Sequence, residues 1–266
     1  FLMFVDPYHK QVYQISGAND VTKKEPIGIP LPFMDFPDVV EVNKKTGEFV
    51  YLDTRLKEIR SVKKMKNNKE EELKILWKIP NGYQVEKIVI DEKGEYLFYT
   101  DSVRGVLARM EIKKGEEGAH QDLVTSLKEP VGLVYHPKGF LFWTEMGSSP
   151  RISKMKSDGT EYEVLHDTGL RKPIALAVAE NDENLVVWAD ERTISSMNVT
   201  TKVVTKLHEI QDGVINSIAT TGNEVYFSIW NEKGVYFING TKTFSPYAEM
   251  VTDPIFARIT HMTFMS

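Results

Sequence analysis

The sequence predicts an all-β fold: a closed ring of six four-stranded blades, filling residues 1–266 as a single domain. Three observations carry this. A short stamp recurs, as "MFVD" ending at Asp6, "VYLD" at Asp53, "FYTD" at Asp101, "FWTE" at Glu145, "VWAD" at Asp190 and a degenerate "YFSI" at Ile229. The spacings of 47, 48, 44, 45 and 39 residues suit one four-stranded unit per repeat. The second slot is aromatic in every copy, as Phe4, Tyr51, Tyr99, Trp143, Trp188 and Phe227. An apolar run also precedes each stamp except the first, and the last run has no stamp behind it. A ring in which the final strand completes the first blade reconciles the two ends and leaves no open sheet edge. The whole is a six-bladed β-propeller.

The innermost strands come from the apolar runs at 38–42, 86–90, 131–135, 174–178, 215–219 and 259–264. Near-continuous apolarity suits strands covered on both faces, as when blades stack. The stamps are the second strands. For the middle unit the four strands fall at 131–135, 140–145, 151–156 and 162–166, with "PKG" and "SDG" as turns. Only "KKMKNNKEEELKILWKI" (63–79) has a helical look, and its charge run is better suited to a solvated hairpin.

Composition narrows the function classes. A hydrophobic content of 41% allows an ordinary core. No apolar run reaches the ~18 residues that would span a bilayer, and no charged leader marks a secretion signal. The net charge of −5 lacks the basic footprint of a nucleic-acid binder. With no cysteine there are no disulfides, no thiolate metal sites and no cysteine catalysis. Two glycosylation acceptors, Asn198-Val199-Thr200 and Asn239-Gly240-Thr241, fall at turns between third and fourth strands and lean toward a secreted or extracellular glycoprotein.

The best copy, "LFWTEMGSSPRISKMKSDGTEYEVLHDTGLRKPIALAV" at 141–178, resembles the consensus blade of the YWTD repeats in low-density-lipoprotein-receptor-type propellers. The resemblance implies that the stamp is structural, its acid and aromatic knitting neighbouring blades. It further implies that partners bind on the face around the channel mouth. The pattern departs in places: only Thr100 and Thr144 keep the Thr slot, Ile229 replaces the acid, and no cysteine-rich module is present. The Gly-His and Trp-Asp signatures of WD repeats and the Gly-Gly pair of kelch repeats are absent.

In a four-stranded blade, the loops after the second strands share a face with the loops leading into the next blade. Six of the eight arginines lie in those loops: Arg55, Arg104, Arg151, Arg171, Arg192 and Arg258, with only Arg60 and Arg109 elsewhere. Phe33, Phe36, Tyr83, Trp230 and Phe256 interleave with them. Forked guanidinium donors suit carboxylate or phosphate, and exposed arginines and aromatics favour binding hot spots. The expectation is a non-enzymatic module binding a protein or small anionic ligand through Arg55, Tyr83, Arg104, Arg151, Arg171, Arg192, Trp230, Phe256 and Arg258. A plainer reading stands beside it, in which the arginines pair with neighbouring acids, and Phe36 and Phe256 plug the gaps between blades.

No cofactor, metal or catalytic residue is assigned. His-Glu-x-x-His, Gly-x-Ser-x-Gly and phosphate-loop motifs are absent. His136, in "YHPKG", reads as a turn residue, and His261, on an innermost strand, as a core or channel residue. The rival reading is a calcium-dependent lactonase- or esterase-type propeller enzyme, whose oxygen ligands would be Asp38, Glu86 and Asn216 at innermost-strand starts. Its typical "EGP" opening is missing.

Overall fold

The computed structural model describes residues 2–15, 27–29, 31, 34–63, 72–113, 117–179, 181–230, 232, 234–239 and 259–264. Every regular element among them is a strand. The first blade holds β1 (Leu2–Asp6), β2 (Gln11–Ile15) and β3 (Ile27–Ile29). The second runs through β4 (Pro37–Asn43), β5 (Glu48–Asp53), β6 (Glu58–Lys63) and β7 (Glu72–Lys78). The third comprises β8 (Val85–Ile90), β9 (Tyr96–Asp101), β10 (Val106–Glu111) and β11 (His120–Val124). The fourth comprises β12 (Pro130–His136), β13 (Phe140–Glu145), β14 (Arg151–Lys156) and β15 (Glu163–His166). The fifth comprises β16 (Pro173–Ala179), β17 (Asp182–Asp190), β18 (Thr193–Asn198) and β19 (Val204–Glu209). The sixth shows β20 (Ile215–Thr220), β21 (Glu224–Ile229) and β22 (Tyr236–Asn239), and the chain ends on β23 (His261–Phe264).

Each blade is an antiparallel meander. The sixth has three strands among the described residues, and the stretch expected to supply its fourth lies outside them. The last strand, β23, pairs with β1 in the register Leu2↔Phe264 to Val5↔His261, and the Thr260 N–H donates to Val5 O at 3.1 Å. The first blade is thus closed by the chain's last strand, as the repeat arithmetic predicts. Of the stretch 63–79, Lys63 ends β6 and 72–78 form β7, which pairs with β6, while 64–71 lie outside the described residues.

The stamp is explained by where its side chains go. Successive residues of a strand point to opposite faces, so one strand can serve both neighbours. The aromatic second slot is buried against the preceding blade: Tyr51 packs with Met3 and Val12, Tyr99 with Val39 and Leu52, Trp143 with Phe98 and Leu107. The first slot is buried against the following blade, as Phe98 with Leu141, Phe142 with Leu176 and Tyr226 with Phe4. Six apolar clusters result, one in each gap of the ring.

His136 opens the expected turn, its carbonyl accepting the Gly139 N–H at 2.8 Å, and it also closes β12, where it is 1% exposed. Its Nδ1 accepts the Lys138 N–H at 3.2 Å, so the imidazole braces the turn from inside the blade.

Candidate functional site

The stamp acids build the expected binding face. Asp53 Oδ2 accepts the N–H groups of Asp35 (2.7 Å) and Phe36 (3.0 Å) from the lead-in loop, and Oδ1 that of Leu56 (3.0 Å) from its own turn. Asp101 does the same with Gln84 (3.1 Å), Val103 (3.1 Å) and Arg104 (3.0 Å). Asp190 accepts from Arg171 (3.0 Å) and Lys172 (2.5 Å). Asp53 and Asp101 therefore each tie two loops of one face together, and Asp190 holds the loop that leads into its blade. A buried carboxylate is tolerable only when hydrogen-bonded in this way. Ile229 removes that tie in the sixth blade, where Trp230 N–H donates to Val214 O at 2.7 Å.

The arginines differ in what holds them. Arg151 is spent on Glu145, with Nε–Oε1 at 2.6 Å and Nη2–Oε2 at 3.1 Å, a forked pair on a carboxylate that is fully buried. Arg55 lies over the Phe36 ring at 5.2 Å and reaches Asp35 at 3.4 Å. Lys10 first, and Arg55 with it, hold the Asp35 carboxyl below its usual pKa range. Arg104 stacks on Tyr83 at 4.5 Å and pairs with Asp122 at 2.8 Å. Arg192 Nη1 donates to Gln211 O at 3.0 Å, joining the fifth blade's turn to the loop leading into the sixth. Arg171 is open, its side chain 81% exposed and 3.8 Å from Glu191. Trp230, next after the sixth stamp, is exposed. Phe36 is half-buried against Tyr8, in edge contact. Phe33, Phe256 and Arg258 lie outside the described residues.

Asn198 is exposed at the end of β18, with its Oδ1 accepting the Thr200 and Thr201 N–H groups at 3.0 and 2.9 Å. Asn239 ends β22, and the rest of its acceptor motif lies outside the described residues.

The proposed calcium ligands occupy equivalent positions on β4, β8 and β20, and each has a hydroxyl donor. Thr54 Oγ1 donates to Asp38 (2.5 Å), Ser102 Oγ to Glu86 (2.6 Å) and Ser228 Oγ to Asn216 Oδ1 (2.9 Å). Burial pushes the Glu86 carboxyl pKa up, against the Ser102 hydrogen bond. No group of three or more His, Asp or Glu side chains is placed to hold a metal among the described residues.

A second feature lies at the centre of the ring, where only His261 was expected as a core or channel residue. A cavity of about 150 Å³ lies on the ring axis, lined by all six innermost strands, and Glu41, Lys87 and His261 face it. Its sequence signal was a pair of charged residues in each of two apolar runs, Asp38 and Glu41 in "DVVEV" and Glu86 and Lys87 in "EKIVI". Burial pushes the Lys87 ammonium pKa down, against the pull of Asp38, Glu86 and Glu41. Burial likewise lowers the pKa of His261.

No protein-family model matches the chain. A human low-density lipoprotein receptor-related protein 5-like protein is 23% identical over 128 residues, covering 47% of this chain and 50% of that protein. The chain thus spans about half the length of that curated relative. Among solved structures, a chain of a nidogen/laminin complex superposes with a TM-score of 0.77 at 18% identity, over 98% of this chain and 97% of that one. A gluconolactonase from Xanthomonas campestris gives 0.66 at 13%, over 86% and 81%. A catalytically inactive virginiamycin B lyase from Staphylococcus aureus with quinupristin gives 0.62 at 12%, over 88% and 75%. At such identities the structures attest the fold alone.

Proposed function

With its stamped blades and six-membered ring, the chain is a propeller of the YWTD-repeat type, and from that premise we propose that it is an extracellular, non-enzymatic module that binds a protein through the face carrying the stamp turns. The observation that carries the proposal is the sector built by the fifth and sixth blades. There Arg171 stands 81% exposed, Arg192 is exposed with one nitrogen on Gln211 O, and Trp230 and Val214 are exposed at 41% and 39%. Exposed guanidinium, indole and aliphatic groups on one face are the composition of an interface hot spot. The sector is also where the acid tie is missing, so its loop is free of the carboxylate that fixes the others. Stacked Arg104–Tyr83 and Arg55–Phe36 extend the face across the second and third blades.

An acidic, partly apolar protein surface is the partner this face fits. Laminin is the first analyte to try, because a structural neighbour comes from a nidogen/laminin complex. The experiment immobilises the propeller, measures laminin and other secreted proteins against it, and repeats each positive with Arg171→Ala plus Trp230→Ala. A loss of about 2 kcal/mol or more, part of it fading with salt, supports the proposal. Undiminished binding by the double variant sinks the proposed face. One tightly held calcium per chain, with lactone hydrolysis abolished by chelation, would replace the binding module by an enzyme.

A further inference from the structure

The axial cavity has a division of chemistry around its wall. Six equivalent positions of the innermost strands line it: Glu41, Val89, Val134, Ala177, Ala219 and Thr263. Four consecutive blades thus present aliphatic groups, while the next two present a hydroxyl and a carboxylate. Two positions toward the stamp face lie Lys87 and His261. Lys87 reaches the closing strand, its Nζ donating to Thr260 O at 3.3 Å. His261, 8% exposed, has no hydrogen-bond partner on Nε2, and Glu41 Oε1 stands 3.5 Å away, beyond a normal hydrogen bond.

We propose that this cavity binds a small aliphatic zwitterion, an α-amino acid in chemical class. An ammonium, an imidazole and a carboxylate sunk in an aliphatic channel are costly unless their hydrogen-bonding capacity is used. Here the ammonium, with three donors, has one long bond, and the imidazole nitrogen has none. A lone carboxylate ligand would meet Lys87 and His261 but also face Glu41. A lone amine would meet Glu41 but also face Lys87. Only a ligand carrying both charges pairs with both, its carboxylate toward Lys87 and His261 and its ammonium toward Glu41. Its side chain then lies on the wall of Val89, Val134, Ala177 and Ala219. The volume matches a small ligand, since a cavity of about 150 Å³ takes a molecule the size of benzene.

Calorimetric titration at neutral pH with leucine, valine, 4-methylpentanoate and 3-methylbutylamine tests this. Leucine or valine is expected to bind about tenfold or more tighter than either half-molecule. Glu41→Gln should erase the advantage of leucine over 4-methylpentanoate, and Lys87→Met its advantage over 3-methylbutylamine. Should Lys87→Met fail to fold, Glu41→Gln alone decides. The proposal is overturned if no amino acid binds at millimolar concentration. It is equally overturned if 4-methylpentanoate binds as well as leucine, or if leucine affinity is indifferent to Glu41→Gln.

Discussion

Removing the guanidinium of Arg151 would strand the Glu145 carboxylate, fully buried and left with only the Lys128 N–H at 2.8 Å. Arg151→Ala should therefore cost about 2–3 kcal/mol of stability, because a buried charge loses its forked partner. Arg171→Ala on the same face should stay within about 0.5 kcal/mol, its side chain being mostly in water. Urea denaturation of the two variants side by side checks this, and equal losses would refute the division of roles. The difference could not be seen in the sequence. Both arginines stand in loops after or before a stamp, and the register that seats Arg151 opposite Glu145 is a property of the folded hairpin. The same holds for Arg104, whose acid partner, Asp122, is 18 residues away on the outermost strand. Position along the chain places these arginines at stamp turns and lead-in loops, while their partners depend on pairing.

At the level of the strand, the stamp works because two adjacent side chains enter two different gaps. Trp143 goes back toward Phe98 and Leu107, and Phe142 forward toward Leu176 and Trp188. Trp143→Ala should cost about 3–5 kcal/mol by opening a cavity between the third and fourth blades. Trp143→Phe should cost far less, about 1.5 kcal/mol, since the indole Nε1 is buried without a hydrogen-bond partner and nothing polar is forfeited. Thermal unfolding of the pair measures the gap, and a Phe variant as damaged as the Ala one would contradict it. Strands of this kind were legible because near-continuous apolar runs and recurring aromatics leave a direct trace in the sequence, and β13 and β14 lie at the expected residues. The axial cluster left a fainter trace. Glu41, Lys87 and His261 come from three blades, and isolated charges within apolar runs give no sign that the three meet.

For the whole molecule, ring closure makes distant parts of the chain interdependent. Truncation after Phe256 would remove β23, expose one edge of β1 and open the gap between the sixth and first blades. Broad loss of the folded state is expected, and an unchanged melting temperature would contradict closure by this strand. Acid should loosen the ring as well. Burial holds His120, His208 and His261 below the ordinary histidine pKa. The unfolded chain then takes up protons first as pH falls, so stability is full above about pH 6.5 and declines below it. The raised pKa of Glu86 works in the opposite sense. Replacing the three histidines by Gln should therefore flatten the fall in melting temperature between pH 7.5 and 5.5, and a slope unchanged by the triple replacement would refute the assignment. The register of closure also decides how the molecule answers to tension. Leu2 faces Phe264, so the first and last residues of the joining strands sit at the same end of one ladder. A pull applied across residues 2 and 264 falls on that single pair and then passes to Met3 and Thr263, peeling the ladder like a zip instead of shearing all its bonds together. Stretched between its ends, the propeller should open at low force, blade one first.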